Sequence, residues 1–298
     1  ILFKKKKFND EKKIIQKSLK INPNQADSNN NLGLMLLNTN KINDAINCFT
    51  KAIELKKNFT DAYNNLGIAY KDLGNLNKAI SSWEKLIKIH PTNFQAYNNI
   101  GNIYLENNKN ILAIKYYDKA ISLEKKFFIA YFNRGNALQK IEKLNESLES
   151  FSEAIELNPK YSEAYYNRGN SYKIMGKLDY AINDYLFAYK LNPNLKNLFG
   201  NILDTKNNLC DWRNYNENLT YLKNQINDNI SIMSPFTSLS IFNSTKIQDK
   251  VAKIHLSTDF GDKFKNKNIN FSKKNKESKK IKIGYFSSDF KKHAMSHL

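Results

Sequence analysis

Few side chains in this sequence are suited to chemistry. The imidazoles are His90, His255, His293 and His297, and the thiols are Cys48 and Cys210. His293 and His297 stand four apart, a spacing that on a helix would turn both rings toward one metal ion. No third ligand lies near them, so no metal site is expected. The cysteines are far apart and outside any CxxC pair. That excludes a disulfide framework or a Cys-rich zinc site and fits a reducing compartment. His90 precedes a proline and His255 lies in a connecting segment, and both read as structural or exposed. A different chemistry recurs in the amides. Asn31, Asn65, Asn99, Asn133 and Asn167 fall one period apart, and the same phase reaches Asn201. Each amide offers two donors and an acceptor. A row of them could clamp the backbone of an extended peptide without reading its side chains. The competing explanation is general asparagine enrichment, since the chain holds 46 Asn.

The period comes from the elements that carry these amides. Gly33, Gly67, Gly101, Gly135 and Gly169 are 34 residues apart. Twelve residues after each stands a small residue: Ala45, Ala79, Ala113, Ser147 and Ala181. Four further on is an aromatic: Phe49, Trp83, Tyr117, Phe151 and Tyr185. Pro23, Pro91, Pro159 and Pro193 share one phase, with Lys57 and Lys125 in place of the missing prolines. Each unit holds two amphipathic stretches at helical spacing, split by a short polar turn such as 74–77 or 176–179. Glycine and small residue are placed where two helices cross, and the aromatic fills the gap against the next unit. One unit cannot bury its apolar face alone, so neighbours must stack. Tyr63, Tyr97, Tyr131 and Tyr165 also recur, four before each glycine, and are read as packing residues.

This pattern resembles the tetratricopeptide-repeat (TPR) family, with five complete repeats over 26–195 and a partial one over 1–25 ending near Pro23. The resemblance implies an all-α solenoid whose first helices line an inner groove, with Asn31, Asn65, Asn99, Asn133, Asn167 and Asn201 in it. The partners it implies are acceptor proteins or peptides.

Charge sets limits on other partners. The net charge is +19, normally a sign of nucleic acid or acidic membrane. Yet 44 Lys stand against 3 Arg. Base-reading and phosphate-clamping surfaces favour the planar fork of Arg, so no nucleic-acid partner is expected. No apolar run approaches the roughly 18 residues of a membrane span. The opening residues, Ile1 to Lys7, hold no signal-peptide core. The expectation is a soluble, cytoplasmic chain that is a piece of a longer protein.

Beyond Pro193 the 34-residue phase fades. Residues 196–262 read as an incomplete repeat and a helical connector. Within it, 211–227 is expected to be helical on the stripe Trp212, Tyr215, Leu219, Leu222 and Ile226. Ser234-Pro235-Phe236 is read as a break, and Ile247, Val251 and Ile254 as a further short helix. Residues 263–279 belong to a lysine-rich linker. From 280 the run Ile281-Lys282-Ile283-Gly284-Tyr285-Phe286 is β-prone and leads into Ser287-Ser288-Asp289-Phe290-Lys291-Lys292-His293.

That last segment, with Cys210-Asp211-Trp212 before it, resembles the entry to the catalytic region of the O-linked N-acetylglucosamine transferases, glycosyltransferase family 41. The resemblance implies that 280–298 starts a truncated α/β glycosyltransferase domain. It implies a parent enzyme that transfers GlcNAc from UDP-GlcNAc to Ser or Thr hydroxyls of proteins. The family's loop histidine, a base or a group positioning the acceptor, falls on His293. Lys291-Lys292 and Ala294 depart from the family's usual residues. The donor site would lie past residue 298, so this chain by itself is expected to bind no cofactor and to be inactive. Two non-enzymatic readings stand beside it: a TPR scaffold for protein–protein interaction, and a lysine-rich adaptor for acidic surfaces.

Overall fold

A computed structural model describes residues 14–260 apart from Gln16. The chain divides into one unit over 1–255 and a second over 256–298, of which only 256–260 are described. The expected strand at 281–286, the linker 263–279 and both His293 and His297 lie outside the described residues. Every element among the described residues is a helix.

Ten helices form five pairs over residues 26–195. The first helices are α1 (Ala26–Asn38), α3 (Thr60–Asp72), α5 (Phe94–Glu106), α7 (Phe128–Lys140) and α9 (Ser162–Ile174). The second helices are α2 (Ile42–Leu55), α4 (Leu76–Ile89), α6 (Asn110–Leu123), α8 (Leu144–Leu157) and α10 (Leu178–Leu191). At 13 or 14 residues each is too short to hold in water alone, so packing must supply the stability. The five turns share one device. Asn40, Gly74, Asn108, Glu142 and Gly176, all in one phase, take left-handed φ between 58° and 80°. The sequence shows two of these as glycine. The other three adopt the same conformation at a steric cost that the packed helix pair imposes.

The crossing of each pair explains the conserved spacing within the chain. A methyl group added at Gly101 would stand 2.6 Å from Cε1 of Tyr117, and one at Gly67 would stand 2.5 Å from the Trp83 indole. The ring thus lies on the glycine of its own unit. It also reaches onward as expected: Trp83 clusters with Ala96, Ile100 and Ile103 of the following unit. Ser147, where the other units have alanine, is buried and donates to the Gly135 carbonyl at 3.1 Å. First helices of neighbouring units approach one another directly, α1 with α3, α5 with α7 and α7 with α9. Among the described residues no two second helices pack as closely, so the units crowd together on the first-helix side.

Past residue 195 the geometry changes. Helix α11 (Leu198–Asn208) continues the stack against α10. It is followed by α12 (Tyr215–Asn227), α13 (Pro235–Ile241) and α14 (Thr245–Phe260). The expected helix over 211–227 starts only at Tyr215. Cys210 and Asn214 take left-handed φ of 56° and 57°, which keeps 211–214 out of the helix. Trp212 is accordingly 58% exposed and sits edge-on to Tyr215. Ser234-Pro235 does not break structure but starts it. The Ser234 hydroxyl accepts from the Thr237 N–H at 3.0 Å, with proline at the first helical position. Leu222, Ile226, Met233, Phe242, Val251 and Ile254 form a core of their own here. Asp204 ties it to the last repeat, accepting from Lys173 and from Ser240 at 2.6 Å each.

Candidate functional site

The asparagine row lies on the first helices, where the units crowd. The first member, Asn31, is exposed. Each later one donates its amide N–H to a side chain of the unit before it. Asn65 reaches Asn30 Oδ1 at 3.0 Å and Asn99 reaches Asn64 Oδ1 at 3.2 Å. Asn133 uses both amide hydrogens, on Asn98 at 3.0 Å and Asn102 at 3.1 Å. Asn167 reaches Asn136 at 2.8 Å. Asn201 reaches Asn170 at 3.3 Å and the Tyr166 hydroxyl at 3.1 Å.

The receiving oxygens are shared with the aromatic seam. Asn64 Oδ1 also accepts from Trp83 Nε1 at 3.2 Å, Asn102 Oδ1 from the Tyr117 hydroxyl at 2.8 Å, and Asn170 Oδ1 from the Tyr185 hydroxyl at 2.8 Å. A polar rail therefore runs from unit to unit, anchored in the buried rings. Burial, with Glu106 nearby as a smaller cause, pushes the Tyr117 phenol well above its ordinary range. Tyr185 is raised likewise, by burial first and Tyr166 second. Both remain neutral donors to the rail.

This corrects one expectation. The row is not a set of free groove amides. Its N–H groups join repeats, and Asn65 is 9% exposed. The acceptor half is different. Among the described residues, Oδ1 of Asn65, Asn99, Asn133 and Asn201 receives no hydrogen bond, while Asn167 Oδ1 receives one long bond from Asn170 at 3.4 Å. The row therefore presents one carbonyl oxygen per unit. The sequence did carry the missing signal: Asn30, Asn64, Asn98, Asn102, Asn136 and Asn170 recur one position before the row or three after it. Only stacking shows that the two sets meet at offsets of 35 and 31 residues.

Tyr63, Tyr97, Tyr131 and Tyr165 are half-buried rather than core. Tyr63 and Tyr97 line surface pockets of about 340 and 560 Å³ beside the second helices. Arg134 and Arg168 stand over Tyr131 and Tyr165 at 5.5 and 5.6 Å. Arg168 is held by a two-pronged pair to Asp184, both contacts 2.8 Å. Cys48 and Cys210 are free thiols, Cys48 with its pKa raised chiefly by burial. Asp211 is half-buried and its pKa falls well below the usual carboxylate range, chiefly through hydrogen bonds from Arg213. No cluster of His, Cys, Asp and Glu among the described residues could hold a metal ion. No described helix is long and apolar enough to cross a membrane.

Family models match this region along its length. One described as TPR repeat matches residues 35–74, 69–108 and 101–142, and models described as tetratricopeptide repeat match 14–47, 128–161 and 162–195. No curated protein matches the chain significantly in sequence. Among solved structures, pilF of Pseudomonas aeruginosa aligns with a TM-score of 0.60 at 17% identity, over 67% of this chain and 90% of that one. MamA of Desulfovibrio magneticus aligns at 0.51 and 20% identity, over 57% and 96%. A chain of the Cut9–Hcn1 hetero-tetramer aligns at 0.58 and 19% identity, over 83% of this chain and 46% of that one. At such identities the likeness is one of fold.

Proposed function

The chain belongs to the tetratricopeptide-repeat family, and from that premise we propose that it is a protein-interaction scaffold holding an extended segment of a partner along its first helices. The observation that carries this is the row of amide oxygens on Asn65, Asn99, Asn133 and Asn201, which receive no donor among the described residues while their N–H groups are spent between repeats. Packed helices stand about 8–10 Å apart, and an extended chain of polyproline-II form, with three residues per turn, brings its backbone N–H back to the same side about every 9 Å. The row thus offers an acceptor to roughly every third backbone N–H, whatever the partner's sequence. Asn31, exposed at the start of the row, and Asn167, whose oxygen is shared with Asn170, extend it. Such a scaffold needs no cofactor, and its proposed setting is the cytoplasm.

The test leaves the protein untouched. Peptides selected by display for binding would be remade with every third backbone nitrogen methylated. Loss of each backbone hydrogen bond should weaken binding by about 0.5–1.5 kcal/mol, so three methylations should cost roughly tenfold or more. Affinity that survives methylation in every phase would mean that the row is not the clamp.

A second reading keeps the transferase. It is supported by the sequence of residues 281–298 and by Cys210-Asp211-Trp212, and it makes the scaffold the acceptor-binding part of a UDP-GlcNAc-dependent protein glycosyltransferase with His293 near the acceptor. Under it, this chain transfers no sugar. A longer parent would lose about 100-fold or more in turnover on His293→Ala. A parent with unchanged turnover would remove His293 from the chemistry.

A further inference from the structure

The second helices carry a feature that the clamp does not use. Their outward positions correspond from unit to unit, and their charge reverses. On α4 these positions hold Lys78, Lys85 and Lys88, and on α6 they hold Lys115 and Lys119. On α8 the same positions hold Glu146, Glu149, Glu153 and Glu156, all exposed, with no basic residue anywhere on that helix. Spacing of three, four and three places the four glutamates on one stripe.

The lysines frame two pockets built alike. One, of about 340 Å³, is lined by Tyr63, Tyr70, Lys78 and Lys85, with Glu54 as its one carboxylate. The next, of about 560 Å³, is lined by Tyr97, Tyr104, Tyr116, Lys115 and Lys119. Ile111 and Leu112, 76% and 42% exposed, add apolar surface on α6. Asp118 in the larger pocket is engaged by Arg134 at 3.1 Å, which leaves that pocket basic. Among the described residues none of the five lysines makes an ion pair, nor do Glu149, Glu153 and Glu156. Glu146 has only the exposed Lys143 at 2.8 Å.

We propose that this face docks a second copy of the chain, the acidic helix α8 of each copy lying over the lysine-framed tyrosine pockets on α4 and α6 of the other. The arrangement is self-complementary, because each copy brings both surfaces side by side. Two copies set antiparallel satisfy both contacts at once and close as a two-fold dimer. Net charge does not oppose it strongly. Residues 26–195 hold 21 Lys and Arg against 17 Asp and Glu, so most of the +19 lies outside the repeats. The tyrosines and Ile111 supply apolar area, and the charges set register and partner.

Sedimentation of the full chain at low and high salt tests this. Wild type should be dimeric at low salt and dissociate as salt screens the exposed charges. Reversing Lys78, Lys85, Lys115 and Lys119 to Glu should weaken association by about tenfold or more, as should reversing Glu146, Glu149, Glu153 and Glu156 to Lys. An equimolar mixture of the two variants should dimerise again, because each then supplies what the other lacks. Circular dichroism guards against misfolding, and Lys→Gln and Glu→Gln versions replace any variant that loses helix. Wild type that stays monomeric at low salt overturns the proposal. So does failure of the folded mixture to associate, or binding of poly-glutamate to the lysine face of a protein that shows no self-association.

Discussion

In the repeats a glycine lies under an aromatic ring of its own unit, whereas beyond residue 196 a glycine lies under a stretch of backbone. Gly101 faces Tyr117, sixteen residues on, and the spacing recurs in every unit. Gly200 faces Met233, thirty-three residues on and across an irregular connection, and its N–H bonds the Ile232 carbonyl at 3.2 Å. Both sites use a missing side chain to bring segments close. In the first region the closeness is repeated, local and carried by side chains. In the second it occurs once and is carried by the main chain.

The largest difference should come from emptying a seam. Trp83 is fully buried between two units, and Trp83→Ala should cost about 3–5 kcal/mol in denaturant unfolding. Met233→Ala, in the connector's own core, should cost about 2–4 kcal/mol on the same scale. Equal losses, or a larger loss at Met233, would break the contrast between the regions.

Filling the glycines sharpens it. Gly101→Ala and Gly200→Ala should each lose about 1–3 kcal/mol by overpacking. The rescues should differ. Trimming Tyr117 to Leu removes the atoms that the new methyl meets, so Gly101→Ala should be partly relieved in that background. Met233→Ala should not relieve Gly200→Ala, because the clash is with Cβ and, at 3.0 Å, with Cα, and alanine keeps both. A double-mutant cycle reads both couplings.

Polar ties come next. Asp204→Ala strips Lys173 and Ser240 of a shared acceptor that is only 14% exposed, and should cost about 1.5–3 kcal/mol. Asn133→Ala removes two neutral bonds between repeats and should cost about 1–2 kcal/mol. The reverse order would mean that the rail matters more to the fold than the connector's anchor does.

The smallest effect is confined to alkaline pH and to the repeats, since no phenol of the described connector is fully buried. Burial raises Tyr117 and Tyr185 above the ordinary value of 10. A folded-state pKa above the unfolded one gives a contribution fully present below about pH 10 and lost as pH rises toward the folded value. Tyr117→Phe with Tyr185→Phe, copying Phe49 and Phe151, should move the alkaline unfolding midpoint upward. Near neutral pH it should cost the hydrogen bonds to Asn102 and Asn170.

How much of this was legible follows from the same contrast. Gly33 to Gly169, their aromatics and the helix pairs could be read because each fact is stated five times along the chain. The rail was half-legible. The row itself is periodic, but its partners belong to the preceding unit and appear only when units stack. The connector was read less well. Helix α12 was expected from 211 because Trp212 fits the apolar stripe, and the left-handed turns at Cys210 and Asn214 leave no periodic trace. Ser234-Pro235 looked like an ending because proline punctuates both ends of helices, and the capping hydroxyl decides which.

The account's central claim is that a partner is held along the asparagine row. Spectra of the side-chain amides in protein labelled with ¹⁵N-asparagine test it directly. On titration with a display-selected peptide, the signals of Asn65, Asn99, Asn133 and Asn201 should move together and saturate at one concentration, with helix content unchanged. Row signals that stay fixed while the peptide binds would contradict the account.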